Sequence, residues 1–89
     1  ELSPTYLAHN LGISKSYLHS IFRIKGISVN KFIIEQRLEK SYDDLRNPSF
    51  SELSVTDIAF NSGFRDLSHF SHRFKSRYGV SPRKCRMIN

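Results

Sequence analysis

One structural unit is written twice in this chain. Leu7-Ala8-His9-Asn10-Leu11-Gly12-Ile13 is matched by Ile58-Ala59-Phe60-Asn61-Ser62-Gly63-Phe64 at an offset of 51. Past the glycine the offset becomes 52, pairing Ser16, Leu18 and Phe22 with Ser68, Phe70 and Phe74. It then becomes 53, pairing Gly26-Ile27-Ser28 with Gly79-Val80-Ser81. Repetition at this scale means a duplicated supersecondary structure. A small alanine early in a helix and a glycine at the turn let two helices cross closely. That is the steric requirement of a helix-turn-helix, whose second helix must project from the body into a groove. A single copy would be an ordinary helical hairpin; two copies, each followed by basic residues, are far more restrictive.

The punctuation between the repeats is helical throughout. Ser3-Pro4 reads as a cap followed by proline at the first helical position, where its missing N–H costs nothing. Leu7, Ala8 and Leu11 then recur at helical spacing until Gly12. Ser14 caps a second helix with Leu18, Ile21 and Phe22 on one face and Gly26 closing it. Ser28 caps a third, with Ile34, Leu38, Tyr42 and Leu45 as its apolar stripe, and Asn47-Pro48 ends it. Ser54 and Asp57 form a capping-box pattern ahead of Val55, Ile58, Ala59 and Ser62. Asp66 caps the next helix, whose inner face is expected to be Leu67, Phe70, Phe74 and Tyr78. Gly79 stops it, and Ser81-Pro82 opens a last short helix. No stretch alternates at period two. The expected fold is all-α, with two helix-turn-helix subdomains joined by a linker helix. The expected boundaries are 1–28 for the first unit, 29–46 for the linker and 47–89 for the second unit with its terminal helix.

Charge adds a direction. The chain of 89 residues carries 14 Lys and Arg against 8 Asp and Glu, a net +6. Residues 1–64 are balanced, seven against seven, whereas residues 65–89 hold seven basic side chains and one acid, Asp66. A second, smaller basic stretch runs through Lys15, Arg23, Lys25 and Lys31. Positive charge concentrated in this way attracts polyanions, by counterion release where the partner is nucleic acid. No apolar run is long enough to span a bilayer; the longest, Phe32-Ile33-Ile34, ends at Glu35. Cys85 is the only cysteine, which excludes an internal disulfide framework or a cysteine-rich zinc module and fits a reduced, intracellular setting. The chain opens at Glu1 on polar, cap-like sequence, as an excised piece of a longer protein would.

The second repeat carries a fuller pattern. Ile58-Ala59, Gly63-Phe64, Ser68-His69-Phe70-Ser71-His72-Arg73-Phe74-Lys75 and Gly79-Val80-Ser81-Pro82-Arg83 together resemble the signature of the AraC/XylS family of bacterial transcription regulators. The first repeat is similar to that family's first helix-turn-helix, and Arg37-Leu38-Glu39 to its linker helix. The resemblance covers essentially the whole chain. It departs in lacking the short leading helix, in Ser41 where a small alanine is usual, in Cys85 where a tyrosine is usual, and in His72 where an arginine often sits. The stretch from Asn47 to Leu53 is also a residue or two longer than usual. What the resemblance implies is homeodomain-like three-helical units that bind double-stranded DNA at promoters in the cytoplasm and regulate transcription, without catalysis or cofactor. It further implies a sensing or dimerisation domain N-terminal to Glu1 and contact with RNA polymerase.

Removing the core positions from the second helix of each unit leaves the candidate interface. By the resemblance, the base-reading positions are Ser16, His19 and Ser20 in the first unit and Ser68, His69 and His72 in the second. Lys15, Arg23, Lys25, Arg65, Arg73 and Lys75 read as phosphate contacts, which set register and affinity without specifying sequence. The linker, about 18 residues, is roughly 27 Å long. That suits recognition helices in successive major-groove segments about 34 Å apart. Other chemistries fit less well. His69 and His72 have metal-ligand spacing but lack further ligands. Ser, His and Asp are all present, yet nothing supplies a nucleophile elbow or an oxyanion loop. Glu39, Asp43 and Asp44 read as a solvated acidic face, Phe50 as a loop side chain packed on its own core, and Cys85 as a buried small hydrophobe. The competing reading is a helical protein-interaction module whose basic C-terminal part binds acidic partners.

Overall fold

A computed structural model describes residues 2–88, so Glu1 and Asn89 lie outside the described residues. Six α-helices follow one another: α1 (Pro4–Leu11), α2 (Lys15–Ile24), α3 (Val29–Leu45), α4 (Val55–Asn61), α5 (Leu67–Tyr78) and α6 (Pro82–Met87). A single 3₁₀ turn, Pro48–Phe50, lies between α3 and α4, and no strand occurs among the described residues. The fold is all-α, as the punctuation requires.

Local chemistry starts each helix. The hydroxyls of Ser3, Ser14 and Ser28 accept from the amides of Tyr6, Tyr17 and Lys31 at 3.0, 3.1 and 3.0 Å. Ser54 and Asp57 form the reciprocal capping box, with distances of 2.9 and 3.2 Å. The Asp66 carboxylate accepts from the His69 amide at 3.0 Å, and Ser81 from the Lys84 amide at 3.1 Å. Each cap satisfies an amide that the helix itself leaves unpaired. α1 and α5 end on left-handed glycines, Gly12 at φ 70° and Gly79 at φ 80°, a conformation that a Cβ would strain.

The chain divides into two compact units, one running to Gln36 and the other beginning at Arg37, so the division falls inside α3. The core of the first unit is Ala8, Leu18, Val29 and Ile33, with Leu2, Leu7, Ile13, Phe22 and Phe32 packed against it. The Phe22 and Phe32 rings meet at 5.3 Å. The second unit buries Leu38, Leu45, Ile58, Ala59, Phe64, Phe70, Phe74 and Cys85. An aromatic row runs through it, with centroids 5.0 Å apart for Phe64–Phe70, 5.6 Å for Phe70–Phe74 and 4.7 Å for Phe74–Tyr78. Tyr42 stacks on Tyr78 at 4.6 Å.

Three expectations about facing need correction. Leu11 is 62% exposed, because it is the last residue of α1 and the apolar stripe has already run out at the turn. Leu67 is 38% exposed rather than inward; it is the first residue of α5, and a helical side chain leans back past the helix start. In α3 the expected stripe is only partly right. Val29 and Ile33 are buried near its start and Leu38, Ser41 and Leu45 near its end, while Ile34 and Tyr42 are half-buried. At about 100° per residue the two buried sets lie on different faces of the helix, because each serves its own core. Ser41 tolerates complete burial by donating its hydroxyl to the Leu38 carbonyl at 2.7 Å.

Candidate nucleic-acid interface

The two turns are the same object built twice. In the first, Gly12 N–H donates to the His9 carbonyl at 3.1 Å and Ile13 N–H to Ala8 at 3.0 Å. In the second, Gly63 N–H donates to Phe60 at 3.0 Å and Phe64 N–H to Ala59 at 3.1 Å. Ala8 and Ala59 are 3% and 0% exposed, so both crossings close on a methyl group. Side chains of Arg37 lie where a Cβ on Gly63 would stand, 2.8 Å from Nε, which gives this glycine a second reason to be bare.

Each turn delivers a helix with a buried apolar line and a polar outer side. On α2, Leu18 is buried, Lys15, Ser16, Tyr17 and Arg23 are exposed, and His19 and Ser20 are half-buried. Ser20 donates its hydroxyl to the Ser16 carbonyl at 3.0 Å, so it offers lone pairs outward rather than its proton. Lys25 is exposed at the end of α2. On α5, Phe70 and Phe74 are buried, while Ser68, His69, His72 and Lys75 are exposed. The His69 ring stands edge-on to Phe64, with centroids 6.1 Å apart, which orients the imidazole. Arg65 is exposed in the turn before α5, and Arg73 is half-buried. All the sequence-selected candidates therefore sit on or beside α2 and α5.

The basic excess of residues 65–89 is partly used at home. Arg77 lies over the Tyr78 ring at 4.8 Å, and Arg86 donates to the Phe50 carbonyl at 3.2 Å. Arg46 similarly ties down the chain end by donating to the Ile88 carbonyl at 3.1 Å. Asp66, the sole acid in that region, has its carboxylate turned to the α5 cap. Arg65, Lys75, Arg83 and Lys84 remain solvent-facing cations. Sequence reasoning leaves Tyr17, which is 57% exposed beside Ser16, on the solvent or groove side without a role, and passes over Ser71 and Ser76, which share a side of α5 with His72 and Lys75. The repeat itself held the signal, since His19 and Arg23 align with Ser71 and Lys75.

Among the described residues no group of three or more His, Cys, Asp or Glu could hold a metal ion. Cys85 is buried, and burial pushes its thiol up against the opposing pull of the Arg46 guanidinium, the reverse of a reactive thiolate. No helix of the described residues is long and apolar enough to cross a membrane.

Comparison with known proteins agrees with this geometry. Residues 7–87 match the model of a helix-turn-helix domain family. The chain is 38% identical over 81 residues to the Msm operon regulatory protein of Streptococcus mutans, covering 90% of this chain and 28% of that protein. It is 37% identical over 87 residues to the transcriptional activator RhaS of Escherichia coli, covering 97% and 30%. The chain thus spans about 30% of the length of these curated relatives. Among solved structures, the C-terminal domain of the two-component response regulator YesN from Fusobacterium nucleatum superposes with a TM-score of 0.74 at 29% identity, covering 97% of this chain and 82% of that one. A Listeria innocua protein of unknown function shares the fold at a TM-score of 0.77 and 24% identity, covering 100% and 83%.

Proposed function

The chain belongs to the helix-turn-helix family of AraC/XylS-type transcription regulators, and from that premise we propose that it binds specific promoter sequences in double-stranded DNA and thereby regulates transcription. The observation that carries the proposal is the duplicated turn. Two alanine-glycine crossings with matching hydrogen bonds each present a second helix whose outer side is polar and flanked by cations.

In this reading α2 and α5 enter successive major-groove segments. Ser16, His19 and Ser20 of α2 and Ser68, His69 and His72 of α5 meet base edges. Serine and imidazole can donate or accept there singly, without the bidentate fork of arginine. Lys15, Arg23, Lys25, Arg65, Arg73 and Lys75 contact phosphates, supplying affinity and register. Residues 1–28 and 47–89 are then the two helix-turn-helix units and 29–46 the helix joining them, with the compact units themselves dividing at Gln36 and Arg37 inside that helix. The work is binding without turnover, and its setting is the cytoplasm. In the intact protein a sensing or dimerisation domain would precede Glu1 and RNA polymerase would be a further partner; the regulators named above, of whose length this chain spans about 30%, support the presence of further chain and do not bear on the polymerase.

Selection of bound duplexes from a random pool, using this chain alone, tests the proposal. The expected product is a consensus of two short boxes about one helical turn, ~10 bp, apart. Salt-sensitive retention of every sequence, with no consensus, would overturn specific recognition.

A further inference from the structure

The second helices of the two units differ along one equivalent line. At the offset of 52, Tyr17, Ser20 and Ile24 of α2 pair with His69, His72 and Ser76 of α5. At about 100° per residue, each set falls within about 60° on one side of its helix. On α5 the line is polar throughout, and all three side chains are exposed. On α2 it is apolar at both ends. Tyr17 is 57% exposed, and Ile24, at 87%, is the most exposed large apolar side chain among the described residues. Both lie round the helix from Leu18 and Phe22, which pack in the core. A single exposed isoleucine needs no explanation, but an apolar pair on the outer side of a helix that meets a partner does.

Between the pair, Ser20 has committed its proton. Its hydroxyl donates to the Ser16 carbonyl at 3.0 Å, so toward a partner it only accepts. The line therefore presents an apolar ring, an acceptor and an apolar chain. In the major groove the A·T pair is the one that matches all three. Thymine carries the C5-methyl group and adenine an amino donor, whereas a G·C pair has the donor without the methyl. Charge favours a duplex over a protein as the partner. Residues 2–34 hold Lys15, Arg23, Lys25 and Lys31 and no Asp or Glu. An apolar line flanked by cations alone suits methyl groups lying between two rows of phosphates.

We infer that α2 is a thymine reader: Tyr17 and Ile24 each pack on the C5-methyl group of a different thymine, and Ser20 accepts from an adenine amino group between them. The first box is then rich in A·T pairs and recognised through methyl groups, whereas α5 recognises the second through hydrogen bonds. This rests on the DNA-binding reading above and adds Tyr17 and Ile24 to the residues that set specificity.

Replacing thymine by deoxyuridine removes the methyl group and leaves base pairing and phosphates as they were. The test is a scan of the selected duplex, one thymine at a time, against the whole chain and its Tyr17→Ala and Ile24→Ala variants. A methyl withdrawn from water is worth about fourfold in affinity. The wild type should lose about that factor at two thymines of the first box and nothing in the second. Tyr17→Ala should abolish the loss at one of these thymines and Ile24→Ala at the other. The salt slope should stay unchanged, because no phosphate contact is removed. Both side chains are exposed, so the thermal midpoint should hold. Tyr17→Phe and Ile24→Val, which keep the apolar contact, should reproduce the wild-type scan. A first box without thymine, equal deoxyuridine losses in both boxes, or a wild-type scan in both alanine variants would overturn thymine reading while leaving DNA binding intact. The last of these would leave the apolar line to a protein partner. Absence of any retained duplex would overturn both readings together.

Discussion

Ala8 and Ala59 are where each unit is least able to accommodate change, because the crossing helix rests on the methyl group. Replacing Ala59 by leucine should overpack the crossing and lower stability by about 1–3 kcal/mol, read as a fall in the denaturation midpoint, and Ala8→Leu should cost a similar amount. The two glycines one turn later are not equal. Gly12 has open space around a built Cβ, whereas Gly63, at φ 107°, would place it against Arg37. Gly12→Ala therefore carries only left-handed strain, about 1–2 kcal/mol, and Gly63→Ala must exceed it. Equal losses in a urea titration would refute the contact. Cys85 adds a pH effect. Burial raises its thiol pKa above the ordinary value, so folding favours the neutral form. That stabilisation is complete below the unfolded pKa of ~8.5 and fades as pH climbs through the raised folded value. Stability measured above about pH 8.5 should fall more steeply for the wild type than for Cys85→Ala, whose own baseline is lower from the small cavity.

At the level of elements, the helix starts were legible because their chemistry is confined to four consecutive residues. Ser3, Ser14, Ser28, Ser54, Asp66 and Ser81 each cap the helix that the sequence pattern assigns to them. Burial was less legible where it depends on what lies beyond the helix. Leu11 and Leu67 satisfy the helical period, yet each sits at a helix end with no partner layer over it. α3 defeated a single-stripe reading because one helix supplies two cores, and period alone does not say where a stripe changes face. The polar outer sides of α2 and α5 were legible by subtracting the core positions, but individual contacts were not, since exposure alone does not say which polar side chain meets a base and which a phosphate. Two outcomes test this level. Ser54→Ala removes half of the capping box and should cost about 1 kcal/mol, within a range of roughly 0.5–2. His69→Ala should relax base preference in one box of the consensus and leave the salt slope nearly unchanged, because an imidazole held edge-on to Phe64 is a contact of orientation rather than of charge.

For the molecule as a whole, the decisive fact is that one continuous helix contributes to two separate cores. The first core is small, with Ala8, Leu18, Val29 and Ile33 buried, whereas the second has a row of stacked aromatics and buries Phe64, Phe70 and Phe74. Apolar burial sets local stability, so α1 and α2 should open at lower free energy than α4 and α5. Leu18 is 1% exposed, and Leu18→Ala should cost about 2–5 kcal/mol, comparable to the entire stability of a unit this size. Amide exchange should then lose protection throughout α1 and α2 while α4 and α5 keep theirs. The function should divide along the same line. Residues 65–89, with seven basic side chains to one acid, belong to the unit left intact. The variant should therefore retain salt-dependent attraction to duplex and the preference of one box, and lose the other box from its consensus. Simultaneous loss of exchange protection in both units would show instead that α3 couples them into one cooperative structure, and both boxes would then disappear together.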